Sequence, residues 1–466
     1  MCRTELNLSP AHETIIQTLC VIFKKAGKPA YLVGGYVRNL LMGLPPADLD
    51  IASPLLPEQL KEAAQAVGIG NAKIVNPRLG TVLLEIGGEK IEHTTFRKES
   101  YAPGGGHQPE SVTIGVSLQE DALRRDFAVN ALYMDIFSRE ILDPTGRGLE
   151  DIRLRRLRSA RPCAEEMIRD DALRLLRMIR FSCQLDLRID KELFQAARRY
   201  SDQITVVSKE RIYTEMNKIL LSDTAYALPH KWHPVRRGIL LLELVGILTR
   251  LVPEFEGYRT TGQCKYHKYH VFVHTACTAA HTPPDLTLRW AALFHDVGKM
   301  PMWKQNGRML GHDRLGEQIT LQRMQQMGAD KKTTRDAAEL VREHMYDLDG
   351  RTRESKLRRK IQKMGYTQFA RLIQLREADF LGCGYEQLPV ETAEKFRALM
   401  TRMQQEKVPM NIAELAIDGS DLIQAYGLHG KAIGEVLQAL LQECLIKPSQ
   451  NTRERLLRMA GRYIRP

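Results

Sequence analysis

The feature that most restricts the fold is a change in hydrophobic period along the chain. Short β-rich runs fill the first third: YLVG at 31–34, LDIA at 49–52, TVLLEI at 81–86 and KIEHTTF at 90–96. Their length and β-branched content predict strands. An amphipathic pattern over 10–26 predicts a helix ahead of them, and VNALYMDIF with EILDP predicts a further strand pair. The Gly and Pro of YAPGGGHQPES at 101–111 predict a flexible loop. From about residue 160 the pattern turns helical, rich in Leu, Ala, Arg and Glu, with few strand signals. A mixed α/β head followed by an all-helical body satisfies this order. At 466 residues the chain is too long for one simple core, so two to four domains are expected.

Composition narrows the function classes. Hydrophobic content of 43% and charged content of 27% fit a soluble globular protein and exclude collagen, coiled coil or disorder for the bulk of the chain. The most apolar stretch, Gly238 to Leu248, is short and carries Glu243, so no membrane-spanning helix is expected. The start, MCRTELNLSP, lacks the basic-then-apolar order of a secretory signal. Eight cysteines lie scattered with no C-x-x-C pair, which argues against a disulfide framework and a thiolate zinc site. A reducing cytoplasm is the expected setting. The net charge of +12 suggests a polyanionic partner. Three basic clusters, DIRLRRLRSAR at 151–161, RTRESKLRRK at 351–360 and the tail NTRERLLRMAGRYIRP, fit solvated helix faces singly and a nucleic-acid backbone surface together.

Two short patterns in the head carry chemistry. Gly34 and Gly35 fall between a predicted strand and a predicted helix, a turn that lets backbone N–H groups approach phosphates. Arg38 follows one turn into that helix, within reach of the same anion. Asp48 and Asp50, two apart on a predicted strand, share one face while Leu49 and Ile51 take the other. Such a pair fits a solvent-facing strand end, or a site for Mg²⁺ and in-line phosphoryl chemistry. Glu92, on another predicted strand, is the candidate third carboxylate.

The run G-G-x-V-R, then D-L-D, then RRDFAVNA at 124–131, then DDALRLLRMIRF at 170–181, resembles the tRNA nucleotidyltransferase family. These are the CCA-adding enzymes and their bacterial poly(A) polymerase relatives (class II). VSKERIYTEMNKIL at 208–221 is similar to that family's later helical motif. The resemblance implies a polymerase-β-like head, with Asp48 and Asp50 holding Mg²⁺ and Glu92 assisting. It implies that Gly34, Gly35 and Arg38 meet the triphosphate, and that Arg125 and Asp126, with Asn130 in the same motif, read the ribose. Asp171 and Arg174 would read the incoming base, with Arg177 near the phosphates and Arg180 on the same nucleotide-binding helix. Three positions depart from the family pattern: Asn39 stands where Asp is usual, Asp170 where Glu is usual, and His93 interrupts E-V-T-T-F-R.

The base-reading pair has its own logic. Spaced three apart on a predicted helix, Asp171 and Arg174 share a face. Cytosine and adenine both present an exocyclic amine beside a ring-nitrogen acceptor, which an Asp acceptor next to an Arg donor matches. Uracil and guanine present the opposite order and would leave buried groups unpaired. A surface salt bridge of little energetic value is the bland alternative.

In the second half, HVFVHTACTA at 270–279, ALFHDVGK at 292–299 and GHDRLGE at 311–317 resemble the HD metal-dependent phosphohydrolase superfamily, with His295-Asp296 as its hallmark. His270 and His274 are expected on one face of a helix. The resemblance implies a metal held by His274, His295, Asp296 and Asp379, with His312 and His344 as second-metal ligands and Lys299 steadying a phosphate. Imidazoles with carboxylates suit Mn, Ni, Fe or Zn. The segment 415–457 looks like the C-terminal part of HD-containing bacterial members, and its Gly427, Gly430 and Gly434 would bring backbone N–H groups to RNA.

The expected architecture is α+β, a nucleotidyltransferase head followed by an all-α body containing an HD domain. The expected domains are 1–150 (catalytic head), 151–250 (nucleotide-selecting neck and body), 251–385 (HD) and 386–466 (tRNA-binding tail). The expected activity is template-independent addition of C and A from CTP and ATP to tRNA 3′ ends, with no membrane partner. Partial CC- or A-only addition, poly(A) synthesis, or an HD phosphohydrolase with a non-transferring RNA-binding head are the alternatives.

Overall fold

The computed structural model describes residues 8–101, 109–258, 269–384 and 390–464, so most of the loop expected at 101–111 lies outside the described residues. Two compact units divide the chain, Met1–Phe255 with Gln326–Ala329, and Glu256–Gln325 with Asp330–Pro466.

In the first unit the helix Pro10–Ala26 opens on Ser9, whose hydroxyl accepts from the His12 N–H, and closes on Gly27 in the left-handed region. It buries Ile15, Ile16, Leu19, Ile22 and Phe23. Burial of each such side chain contributes roughly 1.5–3 kcal/mol. The strands are β1 (Tyr31–Val33), β2 (Asp50–Ser53), β3 (Ala72–Asn76), β4 (Thr81–Ile86), β5 (Glu89–Thr95), β6 (Arg97–Ser100), β7 (Ser111–Ile114), β8 (Tyr133–Asp135) and β9 (Ile141–Leu142). Seven form one mixed sheet in the order β3-β4-β5-β2-β1-β8-β9, and β6 pairs with β7 apart from it. Antiparallel pairing places Val33 opposite Asp50, and the parallel β2–β5 pair places Asp50 beside Glu92. Leu32, Ile51, Ile91 and Met134 turn into a core shared with the first helix.

The break from sheet to helix falls where the sequence pattern puts it. After β9 the first unit continues as helices, among them Ala164–Asp170, Arg174–Gln184, Lys209–Leu220 and Pro234–Val245. Only the two-residue strands Arg156–Leu157 and Arg188–Ile189 interrupt them among the described residues. The second unit is helical throughout its described residues, and its last part has its own core of Leu422, Leu437, Leu440, Leu441 and Leu456. No helix among the described residues is long and apolar enough to cross a membrane.

The basic clusters differ from plain solvated faces. Arg156 and Arg158 both bond the fully buried Asp151, at 3.0 and 2.7 Å, and both reach Glu150. Arg358 is buried between Glu354, Glu406 and the Leu445 carbonyl. In the tail, Arg453 pairs with Asp421 and Arg458 with Glu454. These arginines staple their own units together, and that charge is already neutralised. Gly427 ends the helix Gly419–Tyr426, Gly430 precedes the helix Lys431–Ile446, and Gly434 lies inside it.

Candidate functional site

The head's acidic face follows from the strand register. Leu49 and Ile51 are buried, so Asp48 and Asp50 take the other side. Asp48 precedes the ladder and is exposed, Asp50 opens β2 half-buried, and Glu92 is exposed beside it. The Asp50 carboxyl is raised to about 6, chiefly by burial and with the Glu92 and Asp48 charges adding to it, against the opposing pull of Arg125. A cation between these oxygens would remove that repulsion, and three oxygen donors with open sides fit a hard, hydrated ion such as Mg²⁺. Among the described residues, the three carboxylates do not close into a tight ligand cluster as the second unit's groups do.

Gly34 links this face to the helix Gly35–Met42. Its φ of 69° and ψ of −131° suit only glycine, and a Cβ there would lie 3.6 Å from an Arg125 nitrogen. Arg38 is buried, and burial pushes its guanidinium below the ordinary value. Its hydrogen bonds go to neutral acceptors: Asn39 Oδ1 at 2.7 and 3.1 Å, Asn130 Oδ1 at 2.7 Å and the Tyr226 hydroxyl at 3.5 Å. With no carboxylate in that set, the cation suits an incoming polyanion. Asn39 also donates to the Pro45 carbonyl at 2.7 Å and to Tyr226 at 3.1 Å. His93, the third departure from the family pattern, faces the core. It bonds Ser53 Oγ at 2.7 Å, and burial pulls it down to about 3, so it is a neutral packing group.

The R-R-D motif is built around Asp121. Asp121 accepts from Arg124 at 2.8 Å, Arg125 at 3.2 Å and the Tyr133 hydroxyl at 2.5 Å. Burial alone would raise this carboxyl, but Arg124 and Arg125 outweigh it and hold it at about 2. Arg125 is thereby aimed past Gly34, stacked on the Tyr133 ring at 5.1 Å. Asp126 accepts from the Phe127 N–H, Asn130 Nδ2 and two Arg177 nitrogens at 2.8 and 2.6 Å. Arg177 therefore clamps Asp126. Arg180 bonds Glu215 at 2.7 Å, and the cations of Arg38, Arg177 and Arg180 ring the face of Phe181 at 5.1, 5.3 and 4.1 Å.

The structure corrects the expected helix at Asp171 and Arg174. Asp171 is extended (φ −146°, ψ 103°) in a break between Ala164–Asp170 and Arg174–Gln184. Its carboxylate caps the Leu173 N–H at 3.0 Å and meets Arg211 at 3.4 Å. Arg174, buried, donates to the carbonyls of Met167 and Arg124 at 2.9 and 2.8 Å. A hydrogen bond inside a broken helix explains the difference: Asp171 competes with the backbone for its own turn. The two side chains do not pair, which removes the surface salt bridge as an account of their spacing. Asp170 pairs with Arg161 at 2.7 Å.

The second unit assembles a different site. His274, His295, Asp296, His312 and His344 are buried, and Asp379 is partly so. His274 Nε2 lies 3.1 Å from His295 Nε2 and 2.9 Å from Asp379 Oδ1. His312 Nε2 lies 3.2 Å from His344 Nε2. Asp296 faces both pairs, with Oδ2 3.3 Å from His295 and Oδ1 3.4 Å from His312. The Nδ1 atoms of His295, His312 and His344 donate to the carbonyls of Ala292, Met309 and Val341, which fixes the Nε2 lone pairs inward. Burial would lower His295, yet Asp296 and Asp379 raise it to about 10, while burial and the neighbouring imidazoles lower His344 to about 4. Imidazole nitrogens and carboxylate oxygens gathered around Asp296 form a donor set that fits one or two divalent cations sharing it. Lys299 Nζ lies 2.6 Å from Asp296 Oδ2, on the cluster itself. His270 is exposed ahead of the helix Val271–His281, so it does not share the buried face of His274.

Sequence reasoning missed Asp121, Tyr133, Arg211 and Tyr226. The 3- and 4-residue spacing from Asp121 to Arg124 and Arg125 was a usable signal. Tyr226 carries none, because its contact with Asn39 spans 187 residues.

Known proteins agree with this division. The model of the poly A polymerase head domain matches residues 30–158, a probable RNA and SrmB-binding site of polymerase A matches 186–258, and the HD domain matches 266–378. A CCA-adding enzyme of Streptococcus pyogenes serotype M2 is 40% identical over 217 residues, 46% of this chain and 49% of that protein. The chain thus spans about half the length of the curated relatives it matches. The crystal structure of the Bacillus stearothermophilus CCA-adding enzyme in complex with CTP superposes with a TM-score of 0.70 at 25% identity, covering 98% of each chain. The Thermotoga maritima CCA-adding enzyme complexed with tRNA shares the fold at a TM-score of 0.61 and 19% identity, covering 98% of this chain and 97% of that one. With head, RNA-binding and HD segments in the same order, the chain belongs to the tRNA nucleotidyltransferase and poly(A) polymerase family, with an HD domain in its second half.

Proposed function

We propose that the protein adds C and A to tRNA 3′ ends from CTP and ATP, releasing pyrophosphate. The observation that carries this reading is the convergence of Asp48, Asp50 and Glu92 beside Gly34 and the carboxylate-free Arg38. It joins metal-suited oxygens to a phosphate-suited cation on one face of the head. Relatives described as CCA-adding enzymes, including one in complex with CTP, support the same substrates. A cytoplasmic setting belongs to this reading.

In this reading Asp48, Asp50 and Glu92 would hold Mg²⁺, which would supply acidification of the tRNA 3′-hydroxyl and charge neutralisation for the departing pyrophosphate. Gly34 and Gly35 let the backbone approach the triphosphate, and Arg38 pairs with it. Arg125 and Asp126 meet the ribose, held in place by Asp121, Asn130 and Arg177, while Arg180 orders the Phe181 face. Asp171 accepts the exocyclic amine of cytosine or adenine. Arg174 offers the donors it does not spend on Met167 and Arg124, and Arg211 adds another beside Asp171. The helical body and its remaining basic surface hold tRNA by shape and backbone.

The test is a sequencing gel of tRNAs ending before the first C, after one C and after CC, each with CTP, ATP or both. Full addition extends all three to CCA. Extension that stops at CC, needs CC to begin, or runs into an A tail assigns the partial or poly(A) activities instead.

The His and Asp cluster favours a second reading for the other unit. There His274, His295, Asp296, His312, His344 and Asp379 hold one or two ions of Mn, Ni, Fe or Zn, and Lys299 steadies a phosphate ester for hydrolysis. Metal analysis with a hydrolysis assay on 2′,3′-cyclic nucleotides tests it. Metal without hydrolysis leaves a structural centre.

A further inference from the structure

We propose that Cys383 is a further ligand of the metal centre in the second unit, so that this centre takes a thiophilic divalent cation such as zinc in preference to Mg²⁺ or Mn²⁺. The inference rests on the reading of the His and Asp cluster as a metal centre. Cys383 follows Asp379 by four residues, at the C-terminal end of the helix Tyr366–Gly382, so both side chains leave the helix on one side. Cys383 is buried, and its sulfur, an Asp379 carboxylate oxygen and a His274 nitrogen all lie within 4.8 Å of one another. Atoms that close can share one ion.

The packing explains why the sulfur is there. The helix Val271–His281 lies against the helix Tyr366–Gly382, and a Cβ on Gly382 would fall 2.2 Å from Thr278 Oγ1 and 2.9 Å from its backbone nitrogen. Glycine at 382 permits a backbone approach that no other residue allows. His274 and Thr278 are one turn apart on the first helix, as are Asp379 and Cys383 on the second, so this approach brings Cys383 toward His274. The thiol donates to the Asp379 carbonyl at 3.4 Å, which keeps the sulfur on that side. A cavity of about 300 Å³ lined by Asp379, Cys383, Arg376, Phe380 and Phe396 gives an ion a way in.

Chemically the step is a ligand exchange. The Cys383 S–H bond breaks, the sulfur lone pair binds the cation, and the proton goes to solvent. Thiolate favours zinc, cobalt and nickel over the oxygen-seeking ions, whereas the imidazole and carboxylate ligands alone discriminate less.

The test uses the full chain stripped of metal and reloaded with Co²⁺. The parent should show a sulfur-to-cobalt charge-transfer absorption in the near ultraviolet, and Cys383→Ser should bind Co²⁺ without it. Cys277→Ser, which changes a neighbouring thiol on the first helix, should keep the band. The preference for Zn²⁺ over Mn²⁺ should fall on the order of tenfold or more in Cys383→Ser. A parent that takes up Co²⁺ without the band overturns the proposal, with no variant needed, and so does a band that survives in Cys383→Ser. A parent that takes up no Co²⁺ overturns the metal centre itself and this ligand with it.

Discussion

The two units hold their charged side chains in opposite ways. In the head, Asp48 and Glu92 are exposed and Asp50 is half-buried, all oxygen donors on or just before the neighbouring inner strands β2 and β5. In the second unit, four imidazoles and Asp296 are buried among helices, with three ring tautomers fixed by backbone carbonyls. An open set of carboxylates leaves room for water and a triphosphate to complete the coordination, which suits an ion that arrives with its substrate. A closed imidazole set supplies most of the ligands itself and suits a resident ion. On the proposed assignments, the same chain would separate a transient hard-metal site from a resident borderline one by burial and donor type.

Breaking the comparison at the head should give the largest effect. Asp50→Ala should lower nucleotide addition on the order of 10³-fold or more, with tRNA binding and transition-metal content near the parent's. Asp48→Ala should behave alike. Near-normal turnover with Mg²⁺ in either variant would remove the head's metal site.

The converse break comes next. His295→Ala or Asp296→Ala should weaken the resident metal by about 100-fold or more while nucleotide addition stays within about twofold. Equal metal content in variant and parent would show that the cluster is not a metal centre.

Acid should test the head's buried charge network. Asp121 is held at about 2 in the folded head because its two arginines outweigh burial. A depressed carboxyl contributes stability above its unfolded value near 4, and that contribution, about 2 kcal/mol, is lost as pH falls from about 4 through about 2. Asp121→Asn should flatten the head's acid dependence across that window. Melting curves from pH 5 to pH 2 decide it, and an unchanged slope in the variant would discount the Asp121 network.

A smaller effect sharpens the head's side of the comparison. Asp171→Ala should reduce the preference for CTP over UTP about tenfold on tRNA lacking its CCA, with triphosphate binding largely kept. Arg174→Ala should do the same and also destabilise the head by about 1–3 kcal/mol, because one buried and one part-buried carbonyl lose this donor. Unchanged selection in both variants would leave the base-reading residues unassigned. Smallest of all, Tyr226→Phe should raise the KM for the triphosphate about threefold and leave kcat alone, since the hydroxyl that accepts from Asn39 and, at 3.5 Å, from Arg38 is removed.

What the sequence reveals follows from how local each signal is. The helix 10–26 and the strand 81–86 match their observed bounds, because period and capping residues are local properties. The strands Ala72–Asn76 and Ser111–Ile114 escape notice: they are short edge or hairpin strands with few buried residues. Glu92 can be read only as a candidate, since its place beside Asp50 depends on strand register. Asp171 is found by motif but misplaced on a helix, because its bond to the Leu173 N–H breaks the turn. The arginine clusters look like a surface because their partners, Glu406 for Arg358 among them, lie far away in sequence.

Asn130 joins two functions that a reader of motifs would treat as separate. Its carbonyl accepts from Arg38 and its amide donates to Asp126, so one small side chain ties the proposed triphosphate cation to the proposed ribose carboxylate. On the proposed assignment, rejection of deoxynucleotides and affinity for the triphosphate are then not independent traits. Variants selected to build with deoxynucleotides would drift in phosphate affinity too, and paired substitutions at Arg38 and Asp126 would show epistasis rather than additive losses. The choice of sugar and the grip on the leaving group would be inherited together.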